Sequence, residues 1–210
     1  MKLNYVKPDK KGMRMLIVFA CVVGGLLFLD LLSKWLVQSF AVPGQMIEVI
    51  PNFFYITLSY NTGIAFGLGA GSLGSRVVNI LISIVMSLAI GGYYFYAFAK
   101  LKTFERIVGA LLLAGAVGNF VDRAFYWEST TGFDGVIDFL SFYLGGGPGA
   151  KPSSVNPFAT FNFADAYLTV GVILLLVVLV IDMVKPEKKA AQKQPSDSAE
   201  EGKDGSVQGE

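Results

Sequence analysis

Apolar residues in this chain gather into four long runs, at about 15–37, 77–99, 107–122 and 164–184, separated by polar, aromatic or glycine-rich segments. Each run is long enough, or nearly so, to cross a bilayer, because about 20 apolar residues in a helix match the hydrocarbon thickness. A helix also satisfies its own backbone where no water can. Four spanning helices are therefore predicted. The third run is lined with Gly109, Ala110, Ala114, Gly115, Ala116 and Gly118, small residues that let helices approach closely.

The segments between the runs differ in kind. Residues 47–60 (IEVIPNFFYITLSY) are rich in β-branched and aromatic types and predict strands, with Pro51 splitting them into two short ones. Residues 145–157 (GGGPGAKPSSVNP) read as a mobile loop. Residues 185–210 are polar and predict a disordered tail. The expected architecture is an all-α membrane protein, four transmembrane helices with a small β-containing outer (periplasmic) subdomain. Residues 1–14 form a basic tail, 15–184 the membrane domain, and 38–76 and 123–163 its outer loops.

Charge orients the helices. Lys2, Lys7, Lys10, Lys11 and Arg14 precede the first run, Lys100, Lys102 and Arg106 lie between the second and third, and Lys185, Lys188, Lys189 and Lys193 follow the fourth. The two long loops are poor in Lys and Arg. The positive-inside rule then puts both termini in the cytoplasm and both loops outside. The first run also resembles a cleavable signal peptide, but it ends in Asp30 and Lys34 with no small-residue cleavage site, so an uncleaved helix is expected.

Composition narrows the chemistry. Of 210 residues 53% are hydrophobic, more than a soluble domain of this size can hide, and the net charge of +1 gives no bias towards nucleic acid. There is no histidine, which removes Ser-His-Asp and Cys-His catalysis and the usual zinc sites. The single cysteine, Cys21, allows no intrachain disulfide and lies mid-run with no base in sight. Ser33 and Lys34 are adjacent, so on a helix they point apart and make a poor dyad. The glycine-rich stretches do not match a phosphate-binding loop. No metal or cofactor is expected.

Ionisable residues near the runs are the informative ones, because each costs roughly 2.5–3.5 kcal/mol at a helix centre. Asp30, Lys34, Asp122, Arg123, Asp138 and Asp165 all fall at or near the predicted outer ends. Asp30 and Lys34 have an ordinary reading as an i,i+4 pair with the lysine snorkelling to the interface. Asn162 and Asp165 read equally as a helix cap with a first-turn acid. Asn119 and Asp122 share one helix face at the far end of the third run, where Arg123 is the natural neighbour to offset the acid. Asp138 is an isolated acid in an apolar stretch, and the topology sends it to the same side as Asp165. Two carboxylates meeting in a semi-dry site share a proton, so that one deprotonates a water while the other protonates a carbonyl oxygen. That is peptide hydrolysis without a covalent intermediate. These residues alone do not choose among Asp122, Asp138 and Asp165.

Five short motifs occur in order across this frame: DLLSK at 30–34, NTGIAF at 61–66, GNFVDR at 118–123, VIDF at 136–139 and FNFAD at 161–165. Together they resemble the lipoprotein signal peptidases (signal peptidase II) over about 29–171. The resemblance implies a bacterial inner-membrane aspartic peptidase that removes signal peptides from diacylglyceryl-modified prolipoproteins, cutting before the lipidated cysteine. It implies Asp138 and Asp165 as the catalytic pair, with Asn119, Asp122, Arg123 and Asn162 positioning them. Asp30, Lys34, Asn61, Gly63, Ala65, Phe66 and Ala164 would shape the outer-surface site. Prolipoproteins and membrane lipids are the implied partners, and a monomer is expected. The stretch from Arg123 to Asp138 is longer than the family pattern, 145–157 has the look of an insertion, and the polar tail falls outside the family core. A small ion-coupled transporter is the alternative, since membrane acids often mark ion paths; an accessory subunit using its polar residues to bind another helix is a third reading.

Overall fold

The computed structural model describes residues 8–61, 73–125, 127–128, 133–144 and 158–184. Among the described residues, four helices are long and apolar enough to cross a membrane. Helix α1 runs Lys10–Phe40, α2 Leu73–Ala97 with a 3-10 turn at Phe98–Lys100, α3 Thr103–Phe125 and α4 Phe163–Val184. Strands β1 (Met46–Ile50), β2 (Phe54–Asn61), β5 (Val136–Phe142) and β6 (Ala159–Phe161) form an antiparallel sheet in the order β1-β2-β5-β6. Strands β3 (Trp127–Glu128) and β4 (Phe133–Asp134) make a separate two-stranded ribbon.

The helices overrun their apolar runs. The basic segment predicted as a tail up to residue 14 is helical from Lys10, because Asp9 caps the helix by accepting from the Gly12 amide at 2.7 Å. Likewise α3 begins at Thr103, not near residue 107, with Glu105 reaching back to the Lys102 amide at 2.7 Å. Apolar periodicity marks the lipid-matched part of a helix; caps mark its true ends. The expected split at Pro51 is present as the turn between β1 and β2, where Asn52 takes φ 57, a left-handed geometry that asparagine tolerates. Calls on 1–7, the 145–157 loop and the tail from 185 onward lie outside the described residues.

Helix α3 is the centre of the bundle, packed on α1, α2 and α4. Lipid tails are as apolar as leucine, so helix association in a bilayer rests on close packing, and here glycines supply it. A methyl on Gly115 would lie 2.5 Å from the Ala164 carbonyl oxygen and 2.7 Å from Leu168 Cγ, and one on Gly109 would enter the Tyr94 ring. Gly115→Ala must therefore push α4 from α3, and a loss of about 1–3 kcal/mol is expected. Thermal unfolding in detergent checks this; an unchanged midpoint would show that the contact contributes nothing. The outward faces of α1, α2 and α4 expose Val18, Phe28, Val85, Leu88, Ile173 and Val180, apolar side chains suited to lipid.

The sheet packs on one end of this bundle. Val37 of α1 and Ala41, its C-cap, join Leu58, Ile137 and Phe139 in a buried cluster that fixes β5 against the helix end. At the opposite end Phe19 packs on Phe98, and the Arg106 guanidinium lies 4.6 Å from the centre of the Phe98 ring. The chain reverses direction at each end, so residues 30–40, 119–125 and 162–167 all arrive beneath the sheet.

Candidate active site

Asp138 sits on β5, the strand at the interior of the sheet between β2 and β6. Asp165 sits in the first turn of α4, where the helix dipole favours a negative charge. Asn162 joins them. Its Nδ2 donates to Asp138 Oδ1 at 2.8 Å, and its Oδ1 accepts from the Asp165 amide at 2.9 Å. The Asn162 amide returns a 3.3 Å bond to Asp165 Oδ2, closing a reciprocal helix cap. The cap predicted from Asn-x-x-Asp is present, and the same side chain touches Asp138.

The remaining carboxylate oxygens also meet amides. Asn61 Nδ2, at the end of β2, donates to Asp138 Oδ2 at 3.1 Å, and Asn119 Nδ2 donates to Asp165 Oδ1 at 2.6 Å. Asn162 Nδ2 further approaches Asn119 Oδ1 and the Ile137 carbonyl, each at 3.2 Å. Neither Asp138 nor Asp165 has an ion-pair partner among the described residues. Neutral donors orient a carboxylate without cancelling its charge. Asp138 is buried, and its acid is pushed up to about 8, first by burial and then by the charge of Asp165, against the opposing pull of Asn61, Lys34 and Asn162.

Beneath the pair lies an ion cluster. Lys34 Nζ is 2.7 Å from Asp30 Oδ2 and 2.8 Å from Asp122 Oδ2, and all three side chains are sealed from solvent. Two expectations change here. Asp30 and Lys34 do form the i,i+4 pair, but Lys34 does not snorkel and neither residue lines a surface, because α3 and α4 cover them. Asp122 is offset by Lys34, not by Arg123: adjacent residues on a helix point apart, and Arg123 leaves α3 towards α2, donating to Ser83 Oγ at 3.3 Å and the Asn119 carbonyl at 3.5 Å. Ser83 was not singled out from the sequence. Its signal was the i,i+4 spacing from Asn79 in an otherwise apolar run, and both are buried. Ala164 contributes its backbone amide, to Asp30 Oδ1 at 2.8 Å. Gly63, Ala65 and Phe66 lie outside the described residues.

A four-helix membrane bundle holding an amide-bound carboxylate pair under a small sheet has the equipment of a membrane peptidase of the aspartic type. The model of the family described as signal peptidase (SPase) II matches residues 14–181. The chain belongs to that family, whose members are aspartic-type peptidases. It is 34% identical over 164 residues to the lipoprotein signal peptidase of Geobacillus thermodenitrificans, covering 77% of this chain and 88% of that one. Identity to the Bacillus subtilis lipoprotein signal peptidase is 34% over 161 residues, 76% and 91% of the two chains. A bacterial membrane enzyme solved by the in meso method at 2.3 Å resolution superposes with TM-score 0.63 at 30% identity, over 82% of this chain and 93% of that one.

Proposed function

We propose that this chain removes signal peptides from diacylglyceryl-modified prolipoproteins, cutting just before the lipidated cysteine, with Asp138 and Asp165 activating water. Asn162 carries this reading: a single amide that binds one acid through nitrogen and serves the other through oxygen keeps both in one site. Asp138, buried and protonated, gives its proton to the scissile carbonyl oxygen. Asp165, held by Asn119 and half-exposed, takes a proton from water as the hydroxide adds to the carbon. The tetrahedral diol then collapses. Its proton returns to Asp138, the proton on Asp165 passes to the leaving amine, and the C–N bond breaks, which restores both acids.

The site lies at the end of the bundle where the lysine- and arginine-poor loops meet, so the proposed orientation turns it outward with both termini in the cytoplasm. A diacylglyceryl cysteine is anchored in lipid, and its scissile bond therefore stays near headgroup level, where proximity to the pair replaces a bimolecular encounter. The transporter alternative fits less well, since the acids gather at one end of unbroken helices and not at the midplane. Purified protein given a lipidated prolipoprotein and its unlipidated form should cut only the first. Equal cleavage of both removes the lipid from the reading, and substrate flux in proteoliposomes without proteolysis replaces it with a carrier.

The shared proton sets a pH limit. The Asp138 carboxyl is raised above its ordinary value, so it keeps the required proton below about 8 and loses it as pH rises through that value. Turnover should therefore fall on the alkaline side of about pH 8 as one ionisation. Activity that stays level to two pH units above that value would show that Asp138 is not the proton donor.

A further inference from the structure

The ion cluster reaches both acids of the pair through the backbone. Asp122 Oδ2 accepts from the amide of Ile137, the residue directly before Asp138, at 3.3 Å. Asp30 Oδ1 accepts from the amide of Ala164, the residue directly before Asp165, at 2.8 Å. Lys34 Nζ stands between the two carboxylates at 2.7 and 2.8 Å. One unbroken path thus runs from Asp138 through Ile137, Asp122, Lys34, Asp30 and Ala164 to Asp165. It joins β5 to α4 by way of α3 and α1.

We infer that Lys34 is a positioning residue whose ammonium sets the separation of Asp138 and Asp165 by clamping the two acids that hold the backbone on either side of the pair. The clamp rests on the proposed dyad. Lys34, Asp30 and Asp122 are all 0% exposed, so none can touch substrate. Burying three charges costs more than burying apolar groups of similar shape, and more again at membrane depth. Apolar residues would therefore pack here at less cost, whereas a fixed ionic geometry holds a register that apolar contacts leave loose. Space has been cleared for it as well: a methyl on Gly118 would lie 2.6 Å from Asp30 Oδ2. Asp122 Oδ1 has no hydrogen-bond partner among the described residues, so Lys34 and the Ile137 amide are what hold that carboxylate in place. Lys34 Nζ also reaches Asn119 Oδ1 at 3.5 Å, and the same side chain donates to Asp165, a second and shorter route to the pair.

The test compares the native full chain with the triple variant Asp30→Asn/Lys34→Met/Asp122→Asn. Its amide oxygens still accept from Ala164 and Ile137, and no buried charge is orphaned, so folding is protected while the ionic tie is gone. Two readouts go beyond structure: kcat against KM on lipidated prolipoprotein, and the binding of a substrate-like peptide carrying a backbone hydroxyl in place of the scissile carbonyl, compared with the same peptide lacking it. Such a hydroxyl gains affinity only when two carboxylates grip it together. The expected result is a kcat at least tenfold lower per folded molecule with KM within twofold, and a hydroxyl advantage reduced at least tenfold while the plain peptide binds as before. A kcat and hydroxyl advantage both within twofold of native overturn the clamp, as does a deficit explained wholly by a smaller folded fraction. Asp122→Asn alone is the second variant: Ile137 keeps its acceptor, and kcat still falls with KM unmoved, whereas an unchanged kcat overturns the clamp. The dyad stands or falls separately, on whether Asp138→Asn and Asp165→Asn are dead.

Discussion

Replacing Asp138 or Asp165 by asparagine is expected to lower kcat by on the order of 10⁴-fold, to a similar floor in either variant and in the double. Asparagine keeps the shape and one acceptor oxygen of the carboxylate, so each variant keeps one of its two contacts, from Asn61 or Asn162 at position 138 and from Asn119 or the Asn162 amide at position 165, and the bundle folds. What goes is the ability to hand a proton across the pair. The two losses do not add, because one proton on two carboxylates is a single device and half of it does nothing. Cleavage of a lipidated prolipoprotein by purified variants, with folding followed by melting temperature, measures this. Near-native turnover in either single variant ends the dyad reading. Additive losses would mean that each acid works alone.

Asn162→Ser carries the second-largest effect and separates two roles of one residue. Serine is a good helix cap and can serve the Asp165 amide, as Asn162 Oδ1 does at 2.9 Å. It has no nitrogen to reach across to Asp138 Oδ1, the Ile137 carbonyl or Asn119. Stability should therefore stay within about 1 kcal/mol of native while kcat falls about 10²-fold, the effect of misplacing a reacting group by around 1 Å. Substrate affinity should change little, since Asn162 is fully buried. A variant that melts early and retains its turnover per folded molecule would assign Asn162 to the cap alone.

Much of this site was legible before any coordinates. Asp138 is conspicuous as an isolated acid in an apolar stretch, although the residues alone do not choose it over Asp122 or Asp165. Asn162 and Asp165 announced a helix start. Other parts were misread for a common reason. Arg123 was paired with Asp122 because they are neighbours in the chain, yet a 100° step per residue on a helix sends them to different partners. Lys34 was given the interface because long basic side chains usually reach for water; here α3 and α4 close over it and supply Asp122 instead. Ser83 passed unnoticed, since a lone hydroxyl in an apolar run has no local signature of the guanidinium that finds it.

The sequence by itself determined the approximate extent of the four described membrane helices, the split strand pair and the end of the bundle at which the acids gather. These follow from hydrophobic length, charge placement and local propensity, all of which act over a few residues or along one helix. Tertiary structure alone decided which acid meets which base, and that the amides before Asp138 and Asp165 donate to Asp122 and Asp30, the two carboxylates paired with Lys34. The longest of those pairings joins residues 134 positions apart across close helix contacts made possible by glycine, and no local pattern encodes a distance between elements that only packing brings together.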